Sequence, residues 1–168
     1  AEMRETSAFS PAGISSFFEI LDRRPDGRPF EDLSYAGARG GGFVISRGVL
    51  TRVRLKRSKK SRVSVRINSR AANHARTTIS AVTRLLRISG ERYNVAVEHH
   101  VEVPIGAGYG ASAAGSLSAA LAFSDGADLG MSVNEVGQIV HEAEIANGTG
   151  LGTVGPILTG GFILTRKS

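Results

Sequence analysis

The 168-residue chain contains no cysteine, so disulfides and thiolate metal sites are excluded. It has no apolar run approaching the ~20 residues needed to span a bilayer. Its opening residues include Glu2, Arg4 and Glu5, which is not the pattern of a cleaved secretion signal. A cytoplasmic protein with no membrane partner is the expectation. Acid is missing over a long stretch: between Leu33 and Gly90 there are 14 Lys and Arg and no Asp or Glu. The formal charge of +6 is therefore a localised field, of the kind that steers nucleic acid, a phosphorylated metabolite or a nucleotide. A solvated sheet face explains the same residues more simply. Arg52, Arg54 and Lys56 alternate with Val53 and Leu55, and Arg62, Ser64 and Arg66 alternate with Val63, Val65 and Ile67, as in a hairpin with one packed and one wet face. The stretch also lacks interleaved exposed aromatics, Tyr93 and Phe43 reading as core or strand residues, which counts against a nucleic-acid-binding module.

What is present suits one substantial domain, since 41% of the residues are hydrophobic. The pattern predicts a short strand around Arg4–Ser10, a turn at Pro11-Ala12-Gly13 and an apolar stretch from Ile14 to Leu21, with polar turn residues from Asp22 to Asp32. A glycine-rich segment, Arg39 to Gly42, precedes strands at Phe43–Ser46, Thr51–Lys56 and Arg62–Asn68, with Lys59-Lys60 at the turn between the last two. Ile79, Val82, Leu85 and Leu86 recur at helical spacing between about Ala72 and Ile88, and Gly90 is the terminator. Tyr93 to Val103 alternates without a break and is the clearest strand. Ser132 followed by Glu135 is a capping box opening a helix to about Asn147, which Gly148, Gly150 and Gly152 end. Phe162-Ile163-Leu164 reads as a terminal strand.

Between the clear strand and a helix from Ser112 to about Ser124 lies Pro104-Ile105-Gly106-Ala107-Gly108-Tyr109-Gly110-Ala111. A glycine loop opening a helix presents unpaired backbone N–H groups to an anion, a nucleotide phosphate being the leading candidate. It is neither a Walker loop nor a dinucleotide fingerprint. Spacing alone leaves a phosphate cradle and tight packing both open, and Gly115 within the helix is read as permitting close packing or ligand approach.

Four segments together resemble the GHMP superfamily of small-molecule kinases, nearest its archaeal pantoate kinase branch. They are Phe9-Ser10-Pro11-Ala12-Gly13-Ile14 with Phe17-Phe18-Glu19-Ile20; Ala38-Arg39-Gly40-Gly41-Gly42 with Ser46-Arg47-Gly48-Val49; the glycine loop through Ser112; and His141-Glu142-Ala143-Glu144 with Thr149-Gly150-Leu151-Gly152. The resemblance implies an α+β amino-terminal domain, like ribosomal protein S5 domain 2, with a mostly antiparallel sheet and packed helices. Residues 1–168 would form this ATP-binding domain, and the family's carboxy-terminal domain has no counterpart here, so a carboxy-terminal half or second chain, and a second copy of this one, are expected partners. ATP and Mg2+ are the implied cofactors. Pro104, Gly106, Ala107, Gly108, Tyr109, Gly110, Ala111, Ser112 and Ala113 would meet the phosphates, and Ser112 and Glu144 the metal. Arg39 and Arg47, with Gly13 and Gly150, would face a small anionic acceptor. Where the branch continues Gly-Asp-Val, this chain reads Gly152-Thr153-Val154, so the position of the acid beside the acceptor hydroxyl is held by Thr153. The implied reaction is phosphorylation of pantoate to 4-phosphopantoate, or of mevalonate 3-phosphate by a mevalonate-type relative.

Overall fold

Alternation builds the sheet, and small residues let a helix lie flat upon it. The computed structural model describes residues 3–32 and 35–166. In chain order the elements are β1 (Met3–Leu21), β2 (Gly37–Arg57), β3 (Arg62–Ile67), β4 (Arg70–Ala71), α1 (Arg76–Ile88), β5 (Tyr93–Val101), α2 (Ala111–Gly126), α3 (Val133–Asn147), α4 (Val154–Thr159) and β6 (Phe162–Thr165). They make one sheet in the order β1-β2-β5-β3-β4, with β6 pairing the first part of β2. All pairs are antiparallel except β3 with β5, whose parallel register runs from Arg62 opposite Asn94 to Ile67 opposite His99. The expected class is therefore the one found.

One face of the sheet is dry. Tyr93, Val95, Val97 and His99 of β5 point inward beside Val49, Thr51, Val53 and Leu55 of β2. On the other face, Arg52, Arg54, Lys56, Arg62 and Arg66 are exposed, so the basic alternation is a solvated surface. Glu5 bridges Arg52 and Arg54 there, and Glu98 pairs with Arg66.

Helix α2 is buried almost all round, from Ala113 to Gly126, and packs against β1, β2, α1 and α3. Alanine, serine and glycine allow this close approach from several sides. The serines keep hydrogen-bond partners. Ser118 Oγ lies 2.6 Å from Thr51 Oγ1, and Ser116 Oγ is 3.4 Å from Thr78 Oγ1. His99, 3% exposed, joins them through Nδ1 to Thr51 (2.7 Å) and Nε2 to Thr78 (3.1 Å).

Several local expectations are corrected. Pro11-Ala12-Gly13 is not a turn but a register shift within β1, a second following between Ser15 and Phe17, so one strand bends and continues through the stretch Ile14 to Leu21. Proline is tolerated because β1 is an edge strand. Arg39 to Gly42 lies inside β2, where a Cβ at Gly40 or Gly42 would stand 2.2–2.3 Å from a carbonyl oxygen of β1. Phe43–Ser46 and Thr51–Lys56 likewise belong to one long strand. Strands β2 and β3 do not form a hairpin, since β5 inserts between them after the α1 crossover. Helix α1 starts at Arg76 rather than Ala72, because Ala72 N–H bonds back to Val65 and Ala75 to Ala72 in a turn. Strand β5 ends at Val101 rather than Val103, α2 extends slightly beyond both expected ends, and β4 and α4 were not foreseen. The Ser132–Glu135 capping box is present, with Glu135 N–H donating to Ser132 Oγ (3.3 Å) and Ser132 N–H to Glu135 Oε2 (2.7 Å).

Burial lowers the His99 pKa from 6.5 to about 4. The unfolded chain then binds the extra proton between these values, so stability from this residue is complete above pH 6.5 and declines as pH falls towards 4. Denaturant titrations of the wild type and His99→Gln should show the wild type gaining about 3 kcal/mol more than the variant between about pH 4 and pH 7. Equal gains would place the proton uptake elsewhere.

Candidate active site

The glycine loop carries positive φ at Gly106 (77°), Gly108 (83°) and Gly110 (64°), and not at the intervening Ala107 and Tyr109. Positive φ at alternate residues is the glycine-dependent backbone that a nest of N–H groups for an anion requires. Gly110 is also the N-cap of α2, with no side-chain cap and no acid in the first turn, so the helix N-terminus opens from the same loop. Gly13 N–H donates to the Tyr109 carbonyl (3.1 Å) and ties the loop to the bend of β1.

Two clefts meet at this loop. One, of about 430 Å³, is walled by Gly106, Gly108, Tyr109, Gly110, Ala111 and Ser112 on one side and by the start of α1, Ala75 to Thr78, on the other. Ile67, Val101 and Ile105 make it apolar at one end. The second, of about 720 Å³, lies between the bent halves of β1 and β2 and the segment Gly148 to Thr153. Gly108, Gly110 and Thr149 line both.

Glu144 lines neither cleft: it is 1% exposed near the end of α3, behind Ser112 of the smaller cleft and Thr149 of both. Its Oε1 accepts from Ser112 Oγ (2.8 Å) and Thr149 Oγ1 (2.9 Å). Among the described residues no hydrogen bond reaches Oε2. That oxygen faces Gly150, where a Cβ would stand 2.2 Å away, so only glycine leaves it room. Burial pushes the Glu144 pKa up; the Ser112 and Thr149 hydroxyls and the charge of His141 partly oppose the rise.

A bare carboxylate oxygen beside the hydroxyls of Ser112 and Thr149 fits a hard divalent cation such as Mg2+, which takes oxygen ligands and keeps water or phosphate in the remaining positions. Among the described residues no group of three or more His, Cys, Asp or Glu gathers to hold a metal, so most ligands of such a cation would come from phosphate and water.

Of the residues singled out in the sequence, Gly13, Arg39, Gly150 and Thr153 line the larger cleft, and Gly106, Gly108, Tyr109, Gly110, Ala111 and Ser112 the smaller. Pro104, Ala107 and Ala113 line neither: the first two are exposed on the loop and Ala113 is buried in α2. Arg47 also lines neither; it is exposed and paired with Glu102 (3.2 Å). Among the described residues Arg39 is the one Lys or Arg lining the larger cleft, which Asp22 also lines, and its Nε donates to Glu19. Sequence reasoning missed His99, Thr77, Thr78 and the role of Thr149. The parity of Tyr93, Val95 and Val97 would have placed His99 inward, but nothing in the sequence pairs Thr77 with Thr149.

The chain belongs to the GHMP kinases: residues 73–161, more than half of it, match the family described as the GHMP kinases N terminal domain. It is 29% identical over 166 residues to the pantoate kinase of Methanospirillum hungatei JF-1, covering 98% of this chain and 54% of that protein. A solved structure described as a phosphotransferase related to the CoA biosynthesis pathway superposes with a TM-score of 0.81 at 28% identity, over 94% of this chain and 51% of that one. Homoserine kinase from Cytophaga hutchinsonii (TM-score 0.68, 22% identity, 98% and 49% covered) shares the fold. The chain thus spans about half the length of these relatives. No helix among the described residues is long and apolar enough to cross a membrane.

An ionised carboxylate raised in pKa by burial destabilises the ligand-free fold at pH values where the unfolded group is already charged. Glu144→Gln keeps an oxygen for Ser112 and Thr149 and removes the charge. Its ligand-free melting temperature at pH 7 should therefore exceed the wild type's, by a margin that vanishes below about pH 4. A lower melting temperature at pH 7 would show that the charge is fully compensated.

Proposed function

We propose that the protein containing this chain transfers a phosphoryl group from ATP to a hydroxyl of a small hydroxy acid, and that the acid is pantoate, giving 4-phosphopantoate. The observation that carries the reading is the meeting of two clefts at one glycine loop, with the buried Glu144 bonded to Ser112 of the smaller cleft and Thr149 of both. The relatives that share this fold at 28–29% identity, a pantoate kinase and a phosphotransferase of coenzyme A biosynthesis, supply the direction.

In this reading the smaller cleft takes the nucleotide, its phosphates lying against the N–H groups of Gly106 to Ala111 and the start of α2. Mg2+, when bound, neutralises phosphate charge as it builds up. Glu144 and Ser112 hold that cation and orient it. The larger cleft takes the acceptor, whose apolar body meets Phe17, Phe30 and Ile157, while Arg39 takes its carboxylate through the guanidinium edge left free by Glu19. The acceptor oxygen forms a bond to the γ-phosphorus as the bridge to the β-phosphate breaks and ADP leaves, and the hydroxyl proton passes to an oxygen of the transferred phosphoryl group and on to water. Thr153 is no base at its ordinary pKa, so alignment and electrostatics carry the transfer.

Among the described residues Arg39 is the one basic side chain lining the acceptor cleft, Asp22 lines it too and Glu19 already holds one edge of the guanidinium, which suits an acceptor with a single negative charge. Mevalonate 3-phosphate brings a phosphate besides its carboxylate. That favours pantoate over the mevalonate-type alternative.

An ADP-release assay on the full-length protein with magnesium-ATP should respond to pantoate and not to mevalonate, mevalonate 3-phosphate or homoserine. Arg39→Ala should raise the KM for pantoate about tenfold or more with a smaller change in kcat, and Arg47→Ala should leave both near wild type. An unchanged KM in Arg39→Ala would remove Arg39 from the acceptor site, and turnover of mevalonate 3-phosphate alone would replace the substrate.

A further inference from the structure

Two threonines join the nucleotide side of the site to its buried acid. Thr77, 3% exposed, stands in the first turn of α1, and its hydroxyl lies 2.7 Å from that of Thr149. Thr149 donates to Glu144 Oε1 at 2.9 Å, and its backbone N–H donates to the Glu144 carbonyl at 2.9 Å. An ionised carboxylate only accepts, so the direction of the chain is set: the Thr149 proton goes to Glu144, and the Thr149 oxygen accepts from Thr77. With Ser112 also donating to Oε1, one carboxylate oxygen is held by two hydroxyls while Oε2 is left facing Gly150.

We infer that Thr77 and Thr149 form a positioning relay, which fixes the Glu144 carboxylate with Oε2 free of hydrogen bonds and turned towards Gly150, a residue of the larger cleft, before any ligand arrives. The inference rests on Glu144 as the divalent-cation ligand. Rotation of this buried carboxylate would break two hydroxyl hydrogen bonds at once, so the donors fix the plane of the carboxylate and the direction of its free oxygen, as partners behind a metal ligand generally do. The relay also starts on the helix turn that walls the smaller cleft, so the placement of the acid is tied to the wall facing the glycine loop. If the threonines only fastened α1 to the end of α3, their loss would change melting temperature and leave cation affinity alone.

The test is Mn2+ binding, followed by electron paramagnetic resonance, to full-length protein carrying a non-hydrolysable ATP analogue, with thermal melts alongside. Glu144→Gln should lose most of the Mn2+ affinity. Thr149→Val should weaken it about tenfold while affinity for the analogue without metal stays within about twofold. Thr149→Ser should restore Mn2+ binding, and Thr77→Val should shift it in the same direction by less, because it acts only through Thr149. A folded Thr149→Val with wild-type Mn2+ affinity overturns the relay while Glu144→Gln still reports on Glu144 as ligand. Should Thr149→Val not fold, Thr77→Val decides, and unchanged affinity there overturns the relay. Equal Mn2+ binding by the wild type and Glu144→Gln would overturn the ligand assignment itself and the relay with it.

Discussion

The all-round burial of α2 is the constraint on which the rest of the structure depends. A helix enclosed by β1, β2, α1 and α3 has to be rich in small residues, and the run from Ala113 to Gly126 is mostly alanine, serine and glycine. Its flanks are closed, and its N-terminus opens on the smaller cleft, where the chain arrives through the glycine loop. The uncapped N-terminus and the glycine-dependent backbone of the loop are therefore contiguous. Enclosure also forces Ser116 and Ser118 to find partners inside, which they do through Thr78, Thr51 and the Gly115 carbonyl, with His99 bonding both threonines.

Around this helix the polar groups are arranged with opposite consequences. The His99 network is neutral and fully partnered, and it holds the sheet to α1 and α2 without leaving a charge in the core. Glu144 is the exception, a carboxylate at the surface of the same core with one oxygen held and the other left bare. Such a group costs stability in the free protein, and perturbed carboxylates of this kind are common at functional sites. The basic alternation of β2 and β3 takes no part in this. Arg52, Arg54, Arg57 and Arg66 are exposed and paired with Glu5, Glu91 or Glu98.

Local structure was legible wherever it depends on near neighbours. The alternation from Tyr93 fixed the inner face of β5, the Ser132–Glu135 box placed the start of α3 and the strand–glycine loop–helix order located the anion nest. The bend in β1 was misread as a turn because proline and glycine mark both a turn and a bulge on an edge strand. The separation of β2 from β3 could not be read at all, since a hairpin and a crossover share the same strand pattern until the partner strand is known.

The candidate site divides along the same line. The sequence by itself determined the glycine loop and the helices that follow it, because helix starts, helix ends and φ > 0 positions are set by residues within one or two turns of each other, whereas Ser112 and Glu144 were singled out by the family resemblance. Only the tertiary structure decided that Thr77 meets Thr149 across 72 positions, that Gly150 clears space for Oε2 and that Arg39 rather than Arg47 reaches the larger cleft. Those are outcomes of packing between elements, and a hydroxyl or a guanidinium looks the same in the sequence whether it ends in a cleft or in solvent.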